Sequence, residues 1–208
     1  METVDDLMTS AIKAYEAGKP RQALSTVAKV TSISSLVAPG TMTDTQLLEA
    51  ACYFYLGVGT ATGVLDSTRW RFDRSIYGPH TLRIAEALSK STDSPDNRRR
   101  VMDAAGKFID PTALSDRAWY WSFYGDVDDE ITPYRALEHY GTADMLFQRA
   151  GDFEGELRNK LKLIRTTLEI GESAFVANLF LEAEALVMRV DDEALRDQLS
   201  EIFVLHAG

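Results

Sequence analysis

Cysteine is almost absent from this chain of 208 residues: there is one, Cys52. A single thiol cannot form an intramolecular disulfide, so the fold must rest on a packed core. Cys52 sits in the apolar run AACYFYLG, where it reads as a small buried hydrophobe rather than a nucleophile. Histidine is scarce too, and none of His80, His139 and His206 has a second ligand at metal spacing. No apolar run reaches the roughly 18 residues of a membrane span. The N-terminus METVDDLMTS is acidic and lacks the apolar stretch of a secretory signal. The expectation is a cytoplasmic protein with no membrane partner, no metal and no cofactor.

Catalytic signatures are missing as well. There is no G-x-S-x-G, and Glu138-His139 lacks the HExxH context. GVGTATG at 57–63 has three glycines, but the third comes one residue late for a dinucleotide loop, and no Gly-Lys-Ser/Thr follows. It reads as a helix end with a small-residue packing surface. The run Asp128-Asp129-Glu130 lacks a calcium-loop pattern and is expected to solvate a loop and supply N-terminal charge to a helix beginning at Pro133. The chain is therefore not expected to be an enzyme.

What the sequence does contain is helical periodicity. Phe153, Leu157, Leu161, Ile164 and Leu168 form one stripe, and Ala136, Tyr140, Ala143, Phe147 and Ala150 form another just before it. No segment alternates with the period of a strand. Ser94-Pro95, Asp110-Pro111 and Thr132-Pro133 each look like an N-cap followed by proline in the first turn. Helices are expected over 3–17, 20–33, 44–58, 63–73, 79–90, 95–107, 111–124, 133–150, 153–169, 172–188 and 191–205, with loops at 34–44 and 91–95. Hydrophobic residues at 45% and charged residues at 26% suit one all-α domain over 1–208.

Two stretches repeat one logic. In RAGDFEGELRNKL (149–161) and AYEAGKPRQAL (14–24), a helix ends at a glycine, Gly151 or Gly18, and another begins at once. Gly18, Ala23, Leu24, Val27 and Val30, and then Gly151, Asp152, Phe153 and Leu157, resemble the tetratricopeptide repeat family, best over 7–30 and 136–168. Tyr124-Gly125-Asp126, Gly57 and Gly59 offer further elbows. The resemblance implies antiparallel helix pairs forming a short tetratricopeptide-like α-solenoid; the alternative is a non-repetitive helical bundle. Glu156 and Lys160 depart from it, occupying slots where the family prefers small or apolar residues. Either this repeat packs loosely or those charges face solvent.

Charge is segregated. Residues 61–110 hold nine basic and seven acidic residues, whereas the rest hold thirteen basic and twenty-five acidic, giving the chain its net −10. That balance weighs against nucleic acid as a partner. Within the middle segment, Arg69, Trp70, Arg71, Arg74 and Tyr77, followed by Arg98, Arg99 and Arg100, combine arginine with aromatic rings, the composition of protein-binding hot spots. The structural alternative pairs these arginines with Asp66, Asp73 and Asp96. AWYWSFYG (118–125) places rings on every side of a helix, so core packing is expected, with Trp121 the candidate for an exposed partner contact. The functional expectation is a non-enzymatic protein-interaction module, an adaptor, chaperone-like holder or inhibitor. Its partner would be a protein or peptide, and a homodimer would cover the solenoid's apolar ends. The rivals are a helical domain with a small-ligand or catalytic pocket between helices and an acidic nucleic-acid mimic.

Overall fold

The computed structural model describes residues 3–33, 39–58, 80–92, 94–107 and 109–206, and among these every regular element is a helix. The chain divides into two compact units, Met1–Asp110 and Pro111–Gly208. The first contains α1 (Val4–Glu16), α2 (Pro20–Ser32), α3 (Pro39–Tyr55), α4 (Thr81–Lys90) and α5 (Pro95–Gly106). The second contains α6 (Leu114–Asp129), α7 (Pro133–Ala150), α8 (Phe153–Glu169), α9 (Ser173–Val187) and α10 (Glu193–His206). The fold is all-α, built of antiparallel helix pairs of the tetratricopeptide-like solenoid kind.

The elbows explain why helices pair. At Gly151 the backbone takes φ 70°, its N–H reaches the carbonyl of Gln148, and the Asp152 N–H reaches back to Phe147 at 3.1 Å. That double closure satisfies carbonyls a helix end would otherwise leave bare, and the left-handed residue suits glycine. Asp152 then caps α8, its carboxylate accepting the Gly155 N–H at 2.9 Å. The same closure recurs at Gly18, Gly57 and Gly171, so α1, α3, α7 and α8 all end alike. At the other ends, Thr3 and Asp6 form a reciprocal capping box on α1, and Pro20, Pro95 and Pro133 open α2, α5 and α7.

Each unit has its own core. In the first, Met8, Ile12 and Tyr15 of α1 pack with Val27 and Val30 of α2, Leu47, Leu48 and Cys52 of α3, and Ile84 and Leu88 of α4. In the second, Leu157, Leu161 and Ile164 of α8 meet Val176, Ala183 and Leu186 of α9 and Leu195, Leu199 and Ile202 of α10. Burying each large side chain contributes about 1.5–3 kcal/mol. Two close crossings add shape. A Cβ on Gly125 would stand 2.3 Å from the Tyr140 ring, and one on Gly155 would stand 2.3 Å from Phe147. Bare backbone therefore lets α6 and α8 lie against the large rings of α7.

Several expectations need correction. Pro39–Asp44 is the first part of α3 rather than loop, because Pro39 is compatible with a first helical turn. Asp110-Pro111 does not cap a helix; α6 starts at Leu114 and runs to Asp129. Tyr124-Gly125-Asp126 is therefore no elbow but mid-helix, with Gly125 serving the Tyr140 crossing. Asp128 does not solvate a loop; it is fully buried at the end of α6. Glu156 and Lys160 neither loosen the repeat nor face water, being 8% and 1% exposed. The expected helix 63–73 lies outside the described residues.

Candidate functional site

The most developed concavity in the first unit is an open groove of about 720 Å³ between α1, the elbow after it, α3 and α4. Tyr15, Phe54 and Tyr55 supply aromatic walls, and Glu16, Glu86 and Lys90 supply charge. The Tyr15 and Tyr55 rings meet edge to face at 5.9 Å. Tyr15 is buried, its phenol pushed up to about 12 by that burial, and its hydroxyl shares a 3.2 Å hydrogen bond with Ser91. Tyr55 is half exposed and remains available. A Cβ on Gly18 would lie 3.1 Å from the Tyr55 hydroxyl, so the glycine that makes the elbow also clears this wall.

Neighbouring contacts hold the groove's helices in place. Arg83 of α4 grips Glu16 of α1 with two bonds of 2.8 and 2.9 Å. Asp44 of α3 is fully buried and accepts the His80 N–H at 2.8 Å and the Thr81 hydroxyl at 2.6 Å, tying α3 to the start of α4. Burial raises its pKa to about 6 against the pull of those two donors. Cys52 is buried and its thiol pushed up to about 12 by desolvation, so it stays protonated.

Of the arginine and aromatic candidates, Arg69, Trp70, Arg71, Arg74 and Tyr77 lie outside the described residues. Arg98, Arg99 and Arg100 fall on α5 of the first unit. Arg98 donates to the Thr92 carbonyl at 2.9 Å and so closes the α4–α5 turn, whereas Arg100 is exposed. Trp121 falls on α6 of the second unit, half-buried, stacked on His139 with centroids 5.2 Å apart and beside Tyr120 and Tyr124. His139 in turn stands 3.1 Å from buried Asp128, with Arg135 at 3.7 Å from the same oxygen. Burial, opposed by the Asp128 bond, holds the His139 pKa below the ordinary histidine value.

Sequence reasoning missed the second unit's internal charge network. Lys160 of α8 bonds Asp144 of α7 at 2.6 Å and Glu182 of α9 at 2.7 Å. Burial alone would lower the lysine's pKa, but the two carboxylates outweigh it and hold it above the ordinary value. Lys162 bonds Asp126 at 2.7 Å and Ser122 at 3.0 Å, while the Tyr140 hydroxyl donates to Asp126 at 2.8 Å. Thr166 reaches Asp129 at 2.7 Å. These carboxylates bind neighbouring helices rather than a ligand. Among the described residues no His, Cys, Asp or Glu group is placed to hold a metal, and no helix is long and apolar enough to cross a membrane.

No family model and no curated protein matches the sequence. Solved structures do. A Podosopora anserina protein described as a putative kinesin light chain with nearly identical TPR-like repeats superposes with a TM-score of 0.54 at 13% identity, over 92% of this chain and 99% of that one. A point variant of the same protein gives 0.47 at 13% identity, over 89% and 96%. At that identity the first likeness establishes the fold, which agrees with the repeated glycine elbows, and nothing about ligands.

Proposed function

We propose that the chain is a non-enzymatic protein-interaction module that captures a protein or peptide segment, acting as an adaptor, chaperone-like holder or inhibitor in the cytoplasm. The observation that carries this reading is the open groove of about 720 Å³ in the first unit, walled by Tyr15, Phe54 and Tyr55 and edged by Glu16, Glu86 and Lys90. Aromatic walls with a few polar groups at the rim give an extended segment both contact area and register. Arg69, Trp70, Arg71, Arg74 and Tyr77, shortly before α4 in the chain, and Arg98, Arg99 and Arg100 on α5 serve in this reading as further anchors. Trp121 is a separate contact on the second unit.

Selecting binders from a random peptide library on the immobilised chain and titrating the best of them tests the proposal. Tyr55 is half exposed, so Tyr55→Ala should leave helicity intact yet weaken the selected peptide about tenfold or more. The triple variant Arg69→Ala, Arg71→Ala, Arg74→Ala should weaken it further. Unchanged affinity in both variants, with helicity retained, removes the groove as receptor.

A further inference from the structure

We propose that the outer face of α9 is a docking site for an amphipathic helix whose apolar stripe is flanked by lysine or arginine. Along α9 and its C-cap, Ala174, Asn178, Leu181, Ala185 and Met188 follow one another at alternating steps of four and three, which places them on one face. All five are exposed, Leu181 by 64% and Met188 by 86%. Phe175 beside them is 64% exposed, and Phe203 of α10, edge-on to Phe180 of α9 at 5.5 Å, is 53% exposed. Together these side chains leave on the order of a few hundred Å² of apolar surface open, the size at which a patch marks an interaction site. The opposite face of α9, with Val176, Ala183 and Leu186, is already spent on α8 and α10.

Shape and charge together select the occupant. Small Ala185 between Leu181 and Met188, with Ala174 and Asn178 before them, leaves a shallow channel that suits the ridge of another helix at ordinary interaxial distance. The channel's rims are acidic: Glu182, more than half exposed while it holds Lys160, lies on one side, and exposed Glu184 on the other. The unit behind them is acidic too. Pro111–Gly208 carries nineteen acidic and nine basic residues, the whole of the chain's −10. A second copy of this face would bring two surfaces of the same sign together, whereas a helix with basic flanks meets complementary charge on both rims.

Two synthetic peptides of roughly 18 residues test this, identical in a leucine stripe and flanked by lysine in one and by glutamate in the other. Fluorescence anisotropy at low salt should show the lysine peptide bound about tenfold tighter or more. Leu181→Asp should weaken it about tenfold without loss of helicity, since Leu181 is exposed. Glu184→Lys should weaken the lysine peptide and strengthen its glutamate twin, a reversal no folding defect can imitate. Glu138→Lys, an exposed change on α7, should leave both affinities in place and so exclude general attraction to an acidic chain. Equal binding of the two peptides, no binding of either, or an equal response to Glu138→Lys overturns the proposal. So does a sedimenting dimer that Leu181→Asp dissociates, which would assign the face to a second copy.

Discussion

Replacing Lys160 by methionine should destabilise the second unit by about 3–5 kcal/mol, the usual cost of removing one partner from a buried ion pair. The lysine side chain is 2% exposed, and its Asp144 partner, at 2.6 Å, is 13% exposed. Burial already holds the Asp144 carboxyl above its ordinary range with the lysine present. Without the ammonium it must either take up a proton or stay charged and unpaired. Glu182 is 55% exposed, so Glu182→Gln should cost only about 0–1 kcal/mol, as solvent replaces much of that pair. Lys160→Met combined with Asp144→Leu should recover most of the loss, because an apolar pair of similar volume removes both desolvation penalties. Urea unfolding followed by circular dichroism at neutral pH, analysed as a double-mutant cycle, reads each difference. The lysine's folded pKa is raised above 10.5, so its stabilisation is complete below that value and lost as pH rises through the folded one. The wild type should thus lose stability in strong alkali that Lys160→Met does not lose. A Lys160→Met cost below about 1 kcal/mol, or one equal to that of Glu182→Gln, would refute the reasoning.

Other groups make separate predictions. Asp44 has a folded pKa of about 6 against 3.8 unfolded, so the folded chain holds its proton more tightly; stability from this group is full below the unfolded value and falls as pH rises through about 6. The loss is about 3 kcal/mol, and Asp44→Asn should flatten that slope in urea unfolding between about pH 4 and 7. His139 behaves oppositely: its lowered pKa means stability is complete above 6.5 and declines as pH falls through the folded value. His139→Phe should remove that acid-side loss from the second unit in the same assay. Gly125→Ala drives a methyl into the Tyr140 ring and should cost about 1–3 kcal/mol or more. Gly151→Ala meets open space and should cost about 1–2 kcal/mol from its left-handed backbone alone. Thermal unfolding of the two variants distinguishes packing from strain.

The elbows at Gly18 and Gly151 were legible because a helix that stops and restarts leaves a mark: a left-handed glycine, then a residue that can begin the next helix. Gly171 makes the same turn but is followed by Glu172, which makes no side-chain cap, so the second half of the mark is missing. Gly125 carries the false form of it. Gly-Asp at 125–126 resembles Gly-Asp at 151–152, yet the first pair lies within α6. What distinguishes them is Tyr140 on α7, whose ring needs the space a Cβ would fill. Prolines divide likewise: Pro95 and Pro133 open helices, whereas Pro111 lies in a turn and α6 waits until Leu114.

Charge was legible in amount but not in purpose. Lys160 stands where a repeat of this kind favours an apolar residue, and hydropathy alone sends it to the surface. Its partners lie 16 and 22 residues away on two other helices, so only the packed structure shows the cation to be satisfied. The same holds for the charge asymmetry along the chain. Divided at residues 61 and 110, it presents a basic middle and directs attention to arginine. Divided where the two compact units meet in sequence, at Asp110–Pro111, it presents a first unit with thirteen basic and thirteen acidic residues and a second that carries the entire −10. Part of that surplus is consumed internally, by Asp126, Asp128, Asp129 and Asp144. What faces water on α9 is what remains: Glu184, the exposed half of Glu182, and between them an apolar channel that the unit's own helices leave open. An acidic rim around an uncovered helical face is stable alone only because its charges keep it in solution, and those same charges choose the sign of whatever covers it.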